Sequence, residues 1–582
     1  MPATRREFLK LATLQGVALI VTIPQLSCRA GASGPPLTAS QWIEIGSDGV
    51  VTLVLDKSEM GQGVSTSLPM IMAEELGAEY ERVRVVRARP GPQFTEMGTS
   101  GSGSVIDAWF THRKAAAAAR IMLVTAAATA WKVPPDECYT DSGEVRHRDS
   151  RRRAPFGDLV AAARQLEVPK EPAFKAASEY RLLGTRVADP EIRAITMGAA
   201  RYGIDVTLPG MLYATIARSP EHGGRHGAFV PDRALAEQGV QRVLATDNGI
   251  AVIARSTWAA LKGREALEIT WEQGPHATFD TARSWEMLAA ALRTKTKVAR
   301  SSGNADAALR SSVRRLEAEY RWTWQAHAAI EPLSCVASVT AGGCEIWAGT
   351  QQPNNAQKLV AEALGIAPER VVVNVMRLGG GFGRRIASDY IVEAARLSQA
   401  VAAPVQVVWS REDDFRHDMY NPAQLNRLSA GLDAAGRVTA WRHQVADFHL
   451  SMFGAYDPAF DPETDGSPWG GIDSPYAVEN LRVDMALVES PVPTGAWRAV
   501  TYPAAVMARE CFIDEIAHGT GTDPVALRLS LIPSPGAITR GAITINNGDR
   551  LRHVLQLAAD RAGWTRPLLL DAPGRRIGRG IA

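Results

Sequence analysis

The stretch AEALGIAPERVVV, Ala361 to Val373, repeats AEELGAEYERVRV, Ala73 to Val85, with eight identities in thirteen positions. Each copy reads as a helix closed by a glycine, Gly365 or Gly77, then a short turn and a strand. Glycine supplies the positive φ of a helix end, and the β-branched run behind it favours extended backbone. Upstream of each copy lies a small-residue loop; the offset of 288 residues sets Gly61 and Gly63 of GQG opposite Gly349 and Gln351 of GTQQP. Downstream of each lies a second glycine loop, GTSGSGS (Gly98 to Ser104) and LGGGFGRR (Leu378 to Arg385). The pattern predicts two similar half-domains that offer their loops to one shared ligand.

In LGGGFGRR the missing Cβ atoms let backbone N–H groups come close to another molecule, and Arg384 and Arg385 suggest that this molecule is an anion. The alternative is a wide strand-to-helix turn followed by two solvated arginines. Further along, SPVPTGAWRAV (Ser490 to Val500) sets small residues beside Trp497 and Arg498, a second place where a flat or anionic group can approach.

With 582 residues, 46% of them hydrophobic, the chain can bury several cores. Lys and Arg number 64 against 62 Asp and Glu, and the net charge of +2 gives no footprint for nucleic acid or an acidic membrane surface. Five cysteines, Cys28, Cys138, Cys335, Cys344 and Cys511, show neither the C-x-x-C nor the ferredoxin spacing, so no iron–sulfur cluster or structural zinc is expected on this chain. Cys335 and Cys344 either pair or remain buried thiols.

The N-terminus reads TRREFLK and then LATLQGVALIVTIPQL, Leu11 to Leu26. The apolar part is short of the roughly 20 residues of a membrane span. A twin-arginine export signal is expected over 1–40 together with its linker, leading to the periplasm or cell envelope; an amphipathic anchor is the alternative. Behind it, 41–190 is read as the first half of the binding body. There Thr66 or Ser67 can cap a helix that Gly77 ends, and an alanine-rich helix covers Ala115 to Trp131. From Gly198 to Gln273, strands alternate with a short helix, which predicts a discrete α+β insert within 191–275. The remainder, 300–582, carries the second copy, a helix after Ser388 and the Trp497–Arg498 loop.

Taken in order, EMGQGVSTSLPMIMAEELG, GTSGSGS, ARYGIDVTLPGMLYA, QAHAAIEPLSC, GTQQPNNAQ, RLGGGFGRR, PVQVVWSREDDF and GAWRAV resemble the molybdopterin-binding large subunit of xanthine oxidase-type molybdenum hydroxylases, on the isoquinoline 1-oxidoreductase beta branch. The resemblance covers nearly all of the chain. It implies an α+β, multi-domain aldehyde oxidase/xanthine dehydrogenase-like fold with an inserted α/β hammerhead domain at 191–275. It also implies molybdopterin with molybdenum, in the cytosine dinucleotide form, and a small two-cluster [2Fe-2S] partner subunit. The expected reaction is hydroxylation of an N-heteroaromatic or aldehyde with oxygen from water.

By the same resemblance Gly61, Gln62, Gly63, Ser102, Ser104, Gln351, Gly380, Gly381, Phe382, Gly383 and Arg384 hold the cofactor. Gln351 faces the metal and Arg498 is the substrate-site cation. His327 and Glu331 of HAAIEP read as a buried histidine and a strand-end glutamate more readily than as an acid/base pair. The family's base is a glutamate in a C-terminal GxGE loop, and no such motif occurs here: the chain stops at GRRIGRGIA. A truncated or incomplete chain, weakly active or non-catalytic by itself, is therefore expected.

Overall fold

The computed structural model describes residues 37–455, 457, 459, 474–500, 502–534, 537–540, 543–568, 574 and 576–582. The export signal expected over 1–40 lies outside them, apart from Leu37–Ser40. Those four residues are no linker: they form the edge strand of a sheet, antiparallel to Ile43–Ile45.

Both copies of the repeat adopt one backbone course. In the first, strand Val51–Leu55 leads through the GQG loop into helix Val64–Leu76, a 3-10 turn at Tyr80–Arg82 and strand Arg84–Arg87, which returns parallel to the first strand. In the second, strand Gly343–Ala348 is followed by helix Pro353–Leu364, a 3-10 turn at Pro368–Arg370 and the parallel strand Val371–Val375. Gly77 and Gly365 close the two helices at φ 78° and 66°, a conformation in which a Cβ would be strained.

The first copy sits in a four-stranded sheet covered by its own helix and by Ser104–Trp131. Alanine suits that 28-residue helix twice over. It has the highest helix propensity, and its small side chains let Ala115, Ala116 and Ala119 close against a core of Leu68, Met72 and Leu76. Burying each of those larger side chains contributes about 1.5–3 kcal/mol. The helix begins eleven residues before Ala115, directly at the end of GTSGSGS.

The second copy forms one end of a seven-stranded sheet, in the order Val240–Thr246, Gly249–Ala254, Leu212–Ala217, Val405–Val408, Ser334–Thr340, Gly343–Ala348, Val371–Val375. This corrects the expectation of a discrete unit between Gly198 and Gln273. Three strands of that segment continue the sheet, with Leu212 pairing in parallel register with Val405. The reason is burial: without Val405–Val408, Leu212–Ala217 would be an edge strand with buried Ala214, Thr215 and Ile216 and with backbone groups open to water. Only the two-stranded pair Arg225–Val230 and Glu268–Glu272 stands apart.

Cys335 pairs in register with Ala348, and Cys344 with Val339, so the two thiols lie several steps apart on neighbouring strands. Both are free and buried, and burial pushes both thiols up, Cys344 to about 12.

A five-stranded sheet completes the body, with helix Tyr502–Thr520 on one face through Leu428, Trp441 and Phe512 and helix Thr281–Thr294 on the other through Leu288 and Phe448. Its strands Val438–Phe448 and Asn480–Val488 run out into the two segments, 449–454 and 489–500, that reach the repeat loops. Glu191 joins the halves by accepting hydrogen bonds from Arg87 at the end of the first copy and Arg377 behind the second. Among the described residues no helix is long and apolar enough to cross a membrane.

Candidate cofactor site

Hydrogen bonds between the copies bring their loops together. Ser58 Oγ donates to the Thr350 carbonyl at 2.7 Å, and Leu378 N–H donates to the Glu59 carbonyl at 3.0 Å. Gln351 is the centre of the joint. Its backbone N–H donates to the Arg385 carbonyl and one of its two side-chain N–H groups to the Thr99 carbonyl, while its Oε1 accepts from Gly383 N–H at 2.9 Å. Between the loops opens a cavity of about 870 Å³ lined by Gly61, Gln62, Ser102, Ser104, Gln351, Phe382, Gly383 and Arg498, among others. Both copies therefore contribute to one site, a volume suited to a sizeable ligand.

The glycines of LGGGFGRR answer first to the protein. A Cβ on Gly379 would lie 2.4 Å from that of Glu331; one on Gly381 would lie 2.7 Å from Gln351 Oε1, and one on Gly383 1.5 Å from the Ala496 carbonyl oxygen. Gly380 and Gly381 are not part of the cavity lining, and Phe382, at φ 54° and 37% exposed, is the residue this loop turns into the open space. A non-glycine residue at positive φ is uncommon and clusters at ligand sites.

The arginines are a correction. Arg384 does not face the cavity: its guanidinium is buried, bidentate to Asp389 at 2.9 and 2.7 Å and 3.0 Å from Asp418. Arg385 is fully buried against Glu331 and the carbonyls of Gly349, Glu331 and Pro332. A buried guanidinium is stable only with such partners, so both arginines fasten the loop and neither is open to an anion.

The GQG loop is likewise filled. Glu59 Oε1 accepts from Gly61 and Gly63 N–H at 2.8 and 3.2 Å, and Oε2 from Ser65 N–H at 2.8 Å. This carboxylate, rather than Thr66 or Ser67, caps helix Val64–Leu76 and occupies the place where a phosphate would bind. Burial pushes the Glu59 carboxyl up, but the Ser65, Gly61 and Gly63 N–H groups outweigh it and hold it below the usual range. Gly63 lies outside the lining, and Gln62 turns back to its own loop, donating to the Ser58 carbonyl and accepting from Met60 N–H.

A candidate anion site lies at the start of the next helix, whose first turn also carries Asp107. Helix Ser104–Trp131 starts at Gly103 with no side-chain cap, and the Ser102 and Ser104 hydroxyls beside it make no hydrogen bond among the described residues. Uncapped N–H groups at a helix N-terminus, with two hydroxyls, suit a phosphate or pyrophosphate.

The opposite wall comes from the five-stranded sheet: His449, Leu450 and Phe453 on one segment, Ala496 to Val500 on the other. Thr494 stitches the two, exchanging backbone-to-hydroxyl hydrogen bonds with Ser451 at 2.8 and 2.9 Å. Arg498 is exposed in the cavity and forms no ion pair or hydrogen bond among the described residues. No carboxylate of the described residues lines the cavity. Sequence gave no sign of the 449–454 turn, whose residues carry no motif.

His327 and Glu331 both serve the framework. Glu331 accepts from Ile204 N–H, Gly379 N–H and Arg385. His327 Nδ1 bonds Asp418 at 2.9 Å, and its Nε2 bonds the Ala496 carbonyl at 3.0 Å. Burial pushes the Asp418 carboxyl up, and the His327 hydrogen bonds and the Arg384 guanidinium outweigh it, holding it below the carboxylate range.

Models of the molybdopterin cofactor-binding domain match residues 2–208 and 291–531, the two portions that carry the repeat. The chain is similar to isoquinoline 1-oxidoreductase subunit beta of Brevundimonas diminuta, 31% identical over 96% of this chain and 78% of that one. This chain belongs to the molybdopterin-binding large subunits of the molybdenum hydroxylases. Among solved members of the wider fold, quinoline 2-oxidoreductase of Pseudomonas putida 86 aligns with a TM-score of 0.54 at 21% identity, over 66% of this chain and 54% of that one. Aldehyde oxidoreductase of Desulfovibrio gigas aligns at 0.53 and 18%, over 85% and 57%. The chain thus spans a little over half the length of those two structures. The α+β, multi-domain fold expected for a molybdenum hydroxylase is the one observed.

The residues present fit a molybdopterin. An elongated anionic ligand finds uncapped N–H groups and hydroxyls at Ser102–Ser104 and the Phe382 ring beside the Gln351–Gly383 joint. Among the described residues no three His, Cys, Asp or Glu side chains converge on a metal position.

Proposed function

We propose that this subunit hydroxylates an N-heteroaromatic or aldehyde substrate. When bound, molybdopterin would supply the two-electron oxidation, with oxygen from water and electrons leaving to a small two-cluster [2Fe-2S] subunit. The observation that carries this reading is the convergence on one cavity of both repeat loops and of Arg498, which has no partner among the described residues.

The residues divide the work by position. Ser102, Ser104 and the helix N-terminus behind them bind the phosphate end of the cofactor, best in its cytosine dinucleotide form, whose second phosphate that open site accommodates. Gln351 and Gly383 fix the inner end of the cavity, and Gln351 retains one side-chain N–H for a group bound there. Arg498, in a space free of described carboxylates, stabilises negative charge that develops on the substrate. Phe382 and Phe453 offer flat apolar walls to a planar substrate and exclude water from it. The paired Arg5 and Arg6 support export of the folded, loaded protein to the periplasm by the twin-arginine route.

The test is purification with the partner subunit, analysis for molybdenum, iron and nucleotide, and dye reduction with isoquinoline and benzaldehyde. Turnover per bound molybdenum supports the proposal, and a molybdenum-free preparation with the same activity refutes it. A second reading, cofactor binding without turnover, is favoured by the lack of a carboxylate among the described lining residues. Bound molybdenum with no dye reduction by any substrate of either class would select it.

A further inference from the structure

We infer that His327 is a positioning residue that sets the substrate-side wall of the cavity against the cofactor-side loop; the inference rests on the function proposed for that cavity. Its imidazole lies buried between two oxygen acceptors. Nδ1 faces Asp418 at 2.9 and 3.1 Å, and Nε2 faces the Ala496 carbonyl at 3.0 Å. Asp418 is also held by Arg384 Nε at 3.0 Å, and Arg384 by Asp389. A continuous chain therefore runs from the arginine of LGGGFGRR through Asp418 and His327 to the carbonyl two residues before Arg498.

The same carbonyl oxygen rests on Gly383 Cα, where a Cβ would lie 1.5 Å away. Ala496 is thereby fixed from two sides, by a hydrogen bond and by close packing, and Trp497 and Arg498 follow directly. Arg498 itself has no partner among the described residues. Its position consequently depends on its backbone, and the Nε2–Ala496 bond adds a directional contact there to those of Gly495 N–H on the Tyr420 carbonyl at 3.0 Å and of Thr494 with Ser451. A group displaced by about 1 Å in such a site loses on the order of 10²-fold in rate, so the bond acts on catalysis without His327 touching substrate.

Two substitutions separate the arms of the imidazole. His327→Asn keeps an amide for Asp418 and is too short for Ala496; His327→Gln places an amide N–H where Nε2 stands and gives up the Nδ1 donor. Hydrogen–deuterium exchange on the purified protein with its partner is the first readout. His327→Asn is expected to speed exchange across 494–500 by about fivefold or more while helix Val64–Leu76 stays as in the native protein, and His327→Gln is expected to remain within about twofold. The second readout is a cycle with Arg498→Ala: His327→Asn lowers kcat/KM about 10-fold to 100-fold alone and adds nothing on top of Arg498→Ala. Native exchange in His327→Asn, equal loosening by both variants, acceleration spread over the whole five-stranded sheet, or losses that multiply in the double variant would each overturn the inference. The exchange result decides the positioning claim even if the preparation turns over no substrate, an outcome that would instead sink the proposed function.

Discussion

Gly383 N–H donates to Gln351 Oε1 within the second copy, beside the joint between the two halves of the repeat, at 2.9 Å and out of contact with bulk water. The same carboxamide donates to Thr99 on the other copy. Gln351→Ala therefore strands a buried N–H and a buried carbonyl at once, each costing about 1–3 kcal/mol. Gln351→Glu keeps the acceptor for Gly383 but sets an oxygen against the Thr99 carbonyl. Both variants are expected to lower the melting temperature and to reduce bound molybdenum, measured by calorimetry and metal analysis. A variant that loses molybdenum at native stability would show that Gln351 serves the ligand and not the joint.

Gly383 and Gly61 have similar backbone angles, φ 108° and 100°, but different neighbours. An alanine Cβ at Gly61 meets nothing within 4 Å; at Gly383 it would meet the Ala496 oxygen at 1.5 Å. Gly61→Ala is expected to cost about 1 kcal/mol, the conformational penalty alone. Gly383→Ala, which must also displace the Arg498 loop, is expected to cost more than about 4 kcal/mol and to abolish soluble expression. Equal stability of the two in denaturant titrations would contradict the close packing of Ala496 on the glycine.

The repeat was legible because its signals are local: a helix-ending glycine, a β-branched run and an alanine-rich helix each act within a few residues. The meaning of Arg384 and Arg385 was not, since their charge is answered by Asp389, Asp418 and Glu331, and only the fold shows which carboxylates arrive. The same holds for the glycines of LGGGFGRR. Sequence shows that something comes close, and the structure shows that it is Glu331, Gln351 and Ala496 before any ligand. The segment 191–275 misled for a related reason. Short strands alternating with a helix read as an independent unit, and nothing in Leu212–Ala217 announces a parallel partner almost two hundred residues away at Val405–Val408.

Glu59 makes the stability of the GQG loop depend on pH. Its carboxyl is held below the ordinary value of 4.5 in the folded protein, so its ionised form contributes stability that is fully present above that value and is lost as pH falls through the lower, folded one. Glu59→Gln removes the charged cap and is expected to cost about 1–2 kcal/mol at neutral pH. The gap between native and variant melting temperatures should shrink as pH is lowered below 4.5. A gap that is constant or widens toward acid would mean that Glu59 acts through packing and not through its charge.

Arg498 presents the opposite case, a residue whose removal should spare the fold. It is exposed and has no partner among the described residues, and surface substitutions away from special features usually stay within about 0.5 kcal/mol. Removing one fixed charge or donor that stabilises a developing negative charge costs on the order of 10²–10³ in kcat. Arg498→Ala is therefore expected to keep the native melting temperature and bound molybdenum while losing turnover by that factor. Arg498→Lys should recover part of the loss, because it restores the charge but not the planar fork. The decisive comparison is dye reduction per bound molybdenum for the three proteins, alongside their melting curves. Full activity in Arg498→Ala would remove the residue from the mechanism, and a large drop in stability would reveal a structural partner beyond the described residues.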